Sequence, residues 1–313
     1  MLNSGDCDGV EPEIVVLLAT FNGARWIPQQ VASILDQQGV GVRIIAADDG
    51  STDGTLEWLR ELASREPRLT VLEDPTPTGS SAANFYRLLR SVDTGNALVA
   101  FADQDDIWMP GKLRRHAALL ARGFDGVSSS VTSFTATGKR TLVRKDYPQR
   151  PRDYLLESPG PGSTFLLTPR LAQLTRELLS RPDAVAPEVD FHDSLIYAIA
   201  RSHGWSWHID GESSVDYRQH DDNVMGSNTG LAAALSRLKL IRSHWLRNHA
   251  VLLTRVAIQS APPSDRPELE RILHLLTATG FRSRLVLARM CGQMRRRPRD
   301  QRIIALLVAI GVW

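Results

Sequence analysis

From residue 13 the chain alternates between short apolar runs and segments whose apolar residues recur every three or four positions. EIVVLLAT (13–20) reads as a strand buried on both faces and stops at polar FNGAR. Ile27, Val31, Ile34 and Leu35 then return at helical spacing, with Pro28 tolerated in the first turn. VRIIAAD (42–48) predicts a second strand, Leu56, Leu59 and Leu62 a second helix, and LTVLED (69–74) a third strand. A helix through Phe85, Leu88 and Leu89 leads to ALVAFAD (97–103), the fourth. Strands separated by helices long enough for right-handed crossovers imply a mostly parallel sheet covered on both faces.

After PGKLRRHAALLA (110–121) the rhythm loosens. GVSSSVTSFTAT, KRTLVRKD and GSTFLLT read as strands of a mixed region, and Leu171, Leu174, Leu178 and Leu179 line a helix behind Pro169. A helix starting near Asp190 carries Phe191, Leu195, Ile196 and Ile199; WSWHID and SSVDYRQH read as two closing strands. Beyond about Gly230 the chain reads as helical and basic, broken by linker-like APPSDRP (261–267). The pattern divides the chain into a tail (1–12), an α/β domain (13–228) with halves 13–110 and 111–228, and a helical basic region (229–313).

Composition narrows this picture. With 313 residues, 42% of them hydrophobic, the chain can bury a substantial core. Net charge is only +2, but the first third is acidic and Arg282–Arg302 is rich in arginine. Cys7 and Cys291 form no metal-binding spacing and suggest no disulfide framework, which fits a reducing compartment. The acidic start does not read as an export signal, and no apolar run reaches the roughly 18 residues a bilayer span needs. A cytoplasmic location follows as the expectation.

Every polar cluster of interest falls at the carboxyl end of an expected strand, where open α/β sheets bind ligands. FNG follows the first strand, DDGSTDGT the second, DPTPTGSSAAN the third and DQDD the fourth. DDGSTDGT imitates the start of a calcium loop, but Arg60 stands where that loop needs Glu. Turn and cap chemistry accounts for Asp53 and Thr55 and leaves Asp48 and Asp49, placed to meet a nucleotide's base or ribose. In DQDD, Asp103 and Asp105 can point the same way from extended chain and hold a hard divalent cation together with phosphate oxygens. A solvated acidic loop before a helix is the bland alternative.

In order and separation, LLATFNGARWIPQQVASIL, AADDGSTDGT, NFYRLL, FADQDDIWMPGKL, GSTFLLT, FHDSLIYAIA and YRQHDDNV resemble family 2 glycosyltransferases of the GT-A fold, with the nearest likeness to bacterial rhamnosyltransferases of O-antigen and related surface glycans. The resemblance implies a GT-A type, Rossmann-like mixed sheet flanked by helices, with a helical C-terminal extension. It implies an inverting, single-addition hexosyltransferase using a nucleotide-sugar donor, best guess dTDP-rhamnose, and Mg2+ or Mn2+. Ala19, Thr20, Phe21, Asp49, Asp103 and Gln104 would face the nucleotide sugar. Asp105 would bind the metal, with Asp103 and His220 beside it, and Asp193 would be the general base. His192 and Trp108 would lie on the acceptor side, where a glycan or lipid-linked saccharide binds. Asp193 has a bland reading too, as a helix-end acid behind an Asp190 cap. The QxxRW element and spanning helices of processive relatives are absent from the sequence.

Two other readings of the α/β half stay open here: a sugar nucleotidyltransferase, for which FNGAR is a poor glycine-rich loop, and a non-catalytic nucleotide-sugar-binding scaffold. For the basic tail, helices packed on the domain with solvated arginines compete with peripheral contact to the inner face of the plasma membrane. Nucleic acid is not expected, because the basic stretch lacks interleaved aromatics.

Overall fold

The computed structural model describes residues 11–74, 76–220 and 244–313. Its nine-stranded sheet begins with β1 (Glu13–Thr20), β2 (Gly41–Asp48), β3 (Leu69–Val71) and β4 (Leu98–Asp103), all parallel, in the spatial order β3-β2-β1-β4. The crossovers run through α1 (Ile27–Leu35), α2 (Thr55–Ala63) and α3 (Ser81–Ser91). Side chains alternate along a strand, so β1 feeds two cores. Ile14, Val16 and Leu18 face α1 and α2, while Val15, Leu17 and Ala19 face α3. This double burial explains why β1 is a continuous apolar run.

The second half adds β5 (Ile107–Trp108), α4 (Lys112–Leu120), β6 (Gly126–Thr135), β7 (Arg140–Val143), β8 (Leu166–Leu167), α5 (Pro169–Ser180), α6 (His192–Ser202) and β9 (Trp207–Gln219). The sheet continues β4-β8-β6-β9-β5, with β7 hydrogen-bonded to β6; β6 and β9 are parallel and the other pairings in this half antiparallel.

Three expectations need correction here. Of GSTFLLT, Gly162–Thr164 forms a 3-10 turn and only Leu166–Leu167 is strand; the turn lets Gly162 sit against the His192 ring, where a Cβ would meet Nε2 at 1.9 Å. WSWHID and SSVDYRQH are one strand, β9, because register shifts opposite Ser129–Val131 absorb the intervening Gly211 and Glu212. APPSDRP is no interdomain linker but the turn into a further helix, with Ala261 buried.

Four helices complete the described chain: α7 (Trp245–Ser260), α8 (Arg266–Thr277), α9 (Phe281–Met294) and α10 (Pro298–Ile310). Leu253, Ile272, Leu287, Cys291, Ile304 and Val308 belong to the same buried cluster as α3 and α6. The tail is thus continuous with the main core. The expected boundary at 228/229, the helix start near Gly230, Cys7 and the end of YRQHDDNV lie outside the described residues.

Two features of this core generate predictions. Gly126 lies against Trp207, whose ring a Cβ would meet at 2.3 Å, and that ring is wedged against Phe165 and Tyr197. Gly126→Ala should cost about 1–3 kcal/mol by overpacking, read as a lower urea midpoint at unchanged slope. His192 is buried against Phe85 and Phe101, and burial lowers its pKa from 6.5 to about 4. Between these values the unfolded chain binds more protons, so stability falls as pH drops from 6.5 to about 4. His192→Gln should remove up to about 3 kcal/mol of that loss, seen as a flatter plot of Tm against pH than wild type shows.

Candidate functional site

The carboxyl ends of β1, β2 and β4 come together, and hydrogen bonds fix the loops that leave them. Asp48, the last residue of β2, accepts from Thr20 Oγ1 (2.9 Å), Gly50 N (3.1 Å), Ser51 N (2.8 Å) and Ser51 Oγ (2.6 Å). It is the anchor of the DDGSTDGT loop. The loop is tied to FNGA by Asn22 N to Ser51 Oγ (2.8 Å), Thr52 N to Asn22 Oδ1 (2.9 Å) and Ala24 N to Asp53 Oδ2 (2.9 Å). Asn22 adopts a left-handed φ of 48°, a conformation its side chain tolerates.

Asp49 is buried and accepts from the Thr78 and Gly79 amides, the latter at 2.9 Å, with Arg87 4.0 Å away. From α3, Asn84 donates to Ala47 O (2.8 Å) and Arg87 to Asp48 O (2.8 Å), so one helix face pins the end of β2. Of the other residues expected at the nucleotide, Ala19 packs in the core and the Thr20 hydroxyl serves Asp48. Phe21 is 54% exposed. Gln104 exchanges two hydrogen bonds with the Phe21 backbone, both 2.7 Å, and so clasps the end of β4 to the end of β1.

The three carboxylates at the end of β4 and just beyond it have three environments. Asp106 points inward, accepting from Ser163 Oγ (2.7 Å) and Arg218 N (3.2 Å); burial and the Asp105 and Asp103 charges raise its pKa well above the usual range. Asp105 meets His220 Nε2 at 2.7 Å, and its carbonyl accepts from Arg218 Nε at 2.8 Å. For Asp103, burial first, then the charges of Asp105 and Asp193, push the pKa up to about 7. Arg218 and His220, at the end of β9, close over this loop; the Trp26 ring carries Arg218 at 4.3 Å and stacks on His220 at 5.9 Å.

Asp193 lies in the first turn of α6, where the helix dipole favours a carboxylate. Its Oδ1 accepts from Ser194 N (2.6 Å) and its Oδ2 lies 2.8 Å from Ser158 Oγ. Phe191 precedes the helix as its cap, and Asp190 instead lies 3.4 Å from Trp245 Nε1. The His192 ring at the start of α6 lies 5.6 Å from the ring of Phe101 in β4, which brings the first turn of α6 to the end of β4. Trp108 and His192 are both buried; Lys112 Nζ lies 3.7 Å over the Trp108 ring, and burial lowers that lysine to about 7.

Two carboxylates and an imidazole are the donors that suit Mg2+ or Mn2+. Among the described residues, no group of three or more His, Cys, Asp or Glu is arranged to hold an ion unaided. The arrangement fits an ion that keeps waters and shares phosphate oxygens of a substrate. Arg218, Asn84, Arg87, Ser158 and Ser163 escaped the sequence reading. Arg218 stood inside YRQH, Asn84 and Arg87 inside NFYRLL and Ser163 inside GSTFLLT, so the motifs held a usable signal for all but Ser158.

The model of the family described as glycosyl transferase family 2 matches residues 15–213. The chain is 31% identical over 300 residues to the dTDP-rhamnosyl transferase RfbG of Shigella flexneri, covering 95% of this chain and all of that one. It is 27% identical over 169 residues to the putative glycosyltransferase EpsE of Bacillus subtilis, covering 54% of this chain and 55% of EpsE. Among solved structures, S. aureus TarS 1-349 in complex with UDP-GlcNAc superimposes with a TM-score of 0.58 at 17% identity, over 96% of this chain and 81% of that one. The mannosyltransferase PcManGT of Pyrobaculum calidifontis, in complex with GDP-Man and Mn2+, gives 0.52 at 20% identity over 97% and 76%. These likenesses establish the GT-A fold. The chain is a glycosyltransferase and belongs to glycosyl transferase family 2.

Proposed function

We propose that the protein transfers a hexose, L-rhamnose from dTDP-rhamnose, to a hydroxyl of a glycan or lipid-linked saccharide, with inversion at the anomeric carbon. The observation that carries this reading is the pair of separated carboxylate sites, Asp103 and Asp105 at the end of β4 and Asp193 at the head of α6. The likeness to RfbG along nearly the whole chain supports the choice of sugar and nucleotide.

The nucleotide lies across the ends of β1 and β2, with Phe21 and Asp49 at the base and the diphosphate at the β4 loop. Asp105, with Asp103 and His220 beside it, would hold a divalent cation together with water and the donor's phosphates, and the cation when bound supplies positive charge to the leaving diphosphate. The acceptor oxygen attacks the anomeric carbon as the bond to the diphosphate breaks, and Asp193 takes the hydroxyl proton. Products are the glycoside of inverted configuration and the nucleoside diphosphate, and no covalent enzyme intermediate forms. Buried Trp108 and His192 shape the wall on the acceptor side rather than touching the acceptor.

The acceptor side reaches a lipid surface. Phe281, Ile303, Leu306, Ile310 and Val312 are 45–62% exposed, and Ile303, Leu306 and Ile310 share one face of α10. Arg284 of α9 reaches Gly311, which brings Phe281 to the same end, and exposed Arg282, Arg299 and Arg302 flank the patch. Apolar side chains rimmed by arginine complement an anionic bilayer surface, and no described helix is long and apolar enough to cross a membrane.

Two experiments test these readings. With a panel of nucleotide sugars and lipid-linked acceptors, dTDP-rhamnose should give nucleoside diphosphate and a product one deoxyhexose heavier. EDTA should abolish this and Mg2+ or Mn2+ restore it, and Asp193→Asn should lower kcat by about 100-fold or more with the donor still bound. Another donor, turnover in EDTA, or near-normal turnover of Asp193→Asn contradicts the corresponding part. In flotation, the protein should follow phosphatidylglycerol vesicles and not phosphatidylcholine vesicles, and Leu306→Glu with Ile310→Glu should release it. If the variant instead splits a dimer seen by light scattering, the patch meets a second copy and the membrane reading fails.

A further inference from the structure

Asp193, Tyr197 and Arg201 are spaced four residues apart on one face of α6. All three are held by the segment 149–158. Ser158 Oγ lies 2.8 Å from Asp193 Oδ2, the Tyr197 hydroxyl donates to Asp153 Oδ1 at 3.0 Å, and Arg201 Nη1 lies 3.4 Å from the same atom. This segment is fixed from behind by the arginine-rich turn between α9 and α10. Arg295 Nη1 donates to Leu156 O (2.7 Å), Arg296 N to Glu157 Oε2 (2.9 Å), and Arg296 Nη2 to Ser158 O.

Arg296 is 2% exposed, so its charge is costly unless it is paired. Its partners are Glu157 at 3.4 Å and Asp153 at 3.8 Å, while Nη1 and Nε have no hydrogen-bond acceptor among the described residues. A solvated arginine would serve a helix turn as well. Burial makes sense if a fixed fork is needed to set the height of the Ser158 backbone.

Ser158 Oγ also lies 2.7 Å from Gly160 O, and one hydroxyl proton can serve only one acceptor at a time. With Asp193 ionised, the proton points to the carboxylate. With a proton on Asp193 Oδ2, the acid donates to Ser158 Oγ and the serine proton turns to Gly160 O. The serine therefore partners both states of the carboxylate.

We propose that Arg296 is a positioning residue for Asp193, acting through Ser158, so that the C-terminal turn is part of the catalytic unit. The proposal rests on Asp193 being the general base. Losing the serine bond leaves the carboxylate free to turn away from the acceptor hydroxyl, so kcat falls while donor binding is kept.

The test compares Ser158→Ala, Arg296→Met, Arg296→Lys, the double variant Ser158→Ala/Arg296→Met, and Asp193→Asn as reference. Ser158→Ala and Arg296→Met should each lower kcat about 10- to 100-fold with donor KM within about threefold. Arg296→Lys should recover part of the rate. The double variant should be no slower than Ser158→Ala alone, because both changes act on one contact. An inactive Asp193→Asn beside wild-type kcat for Ser158→Ala overturns this proposal alone, as do multiplying effects in the double variant. Near-normal turnover of Asp193→Asn overturns the base assignment and this proposal with it. Should Arg296→Met not fold, Ser158→Ala and Arg296→Lys decide the matter.

Discussion

Mutual repulsion among Asp103, Asp105 and Asp106 sets the terms for the rest of the site. The fold relieves it in two ways. Asp106 turns inward to Ser163 and the Arg218 amide, and Asp105 meets His220. Asp103 is left partly buried with a raised pKa, facing the first turn of α6. A carboxylate in that state has most to gain from a cation. The charges that would make an isolated loop unstable therefore mark where the proposed diphosphate would dock.

Precision at that loop comes from the parallel half of the sheet. Two cores grip β1, β2 and β4 on both faces, so their carboxyl ends vary little in position. The Gln104 clasp, the Asp48 anchor and the Asn84–Arg87 face of α3 then convert strand ends into defined loops. The opposite wall is built otherwise: α6 is clamped along its length by segment 149–158, itself backed by the turn at Arg295–Arg297. Residues far apart in the chain thus build the two walls.

Sequence periodicity carried the nucleotide half well. Doubly buried strands and amphipathic helices leave strong local patterns, and the motif residues fall at strand ends for reasons local to each loop. The second half was harder to read. The Gly162–Thr164 turn owes its shape to a histidine thirty residues away, and β9 runs through Gly211 because β6 lies beside it. Ser158 and Arg296 carry no motif, and their importance exists only through the contacts that join them to Asp193. The arginines of 295–302 looked alike in the sequence, yet Arg296 is buried whereas Arg299 and Arg302 face solvent.

The most direct test of the central claim is a crystal soaked with Mn2+ and dTDP-rhamnose, read by anomalous scattering. The account predicts a manganese peak coordinated by Asp105, bridging to the donor diphosphate, with the anomeric carbon turned toward Asp193. A peak or a diphosphate bound away from the end of β4 would contradict it.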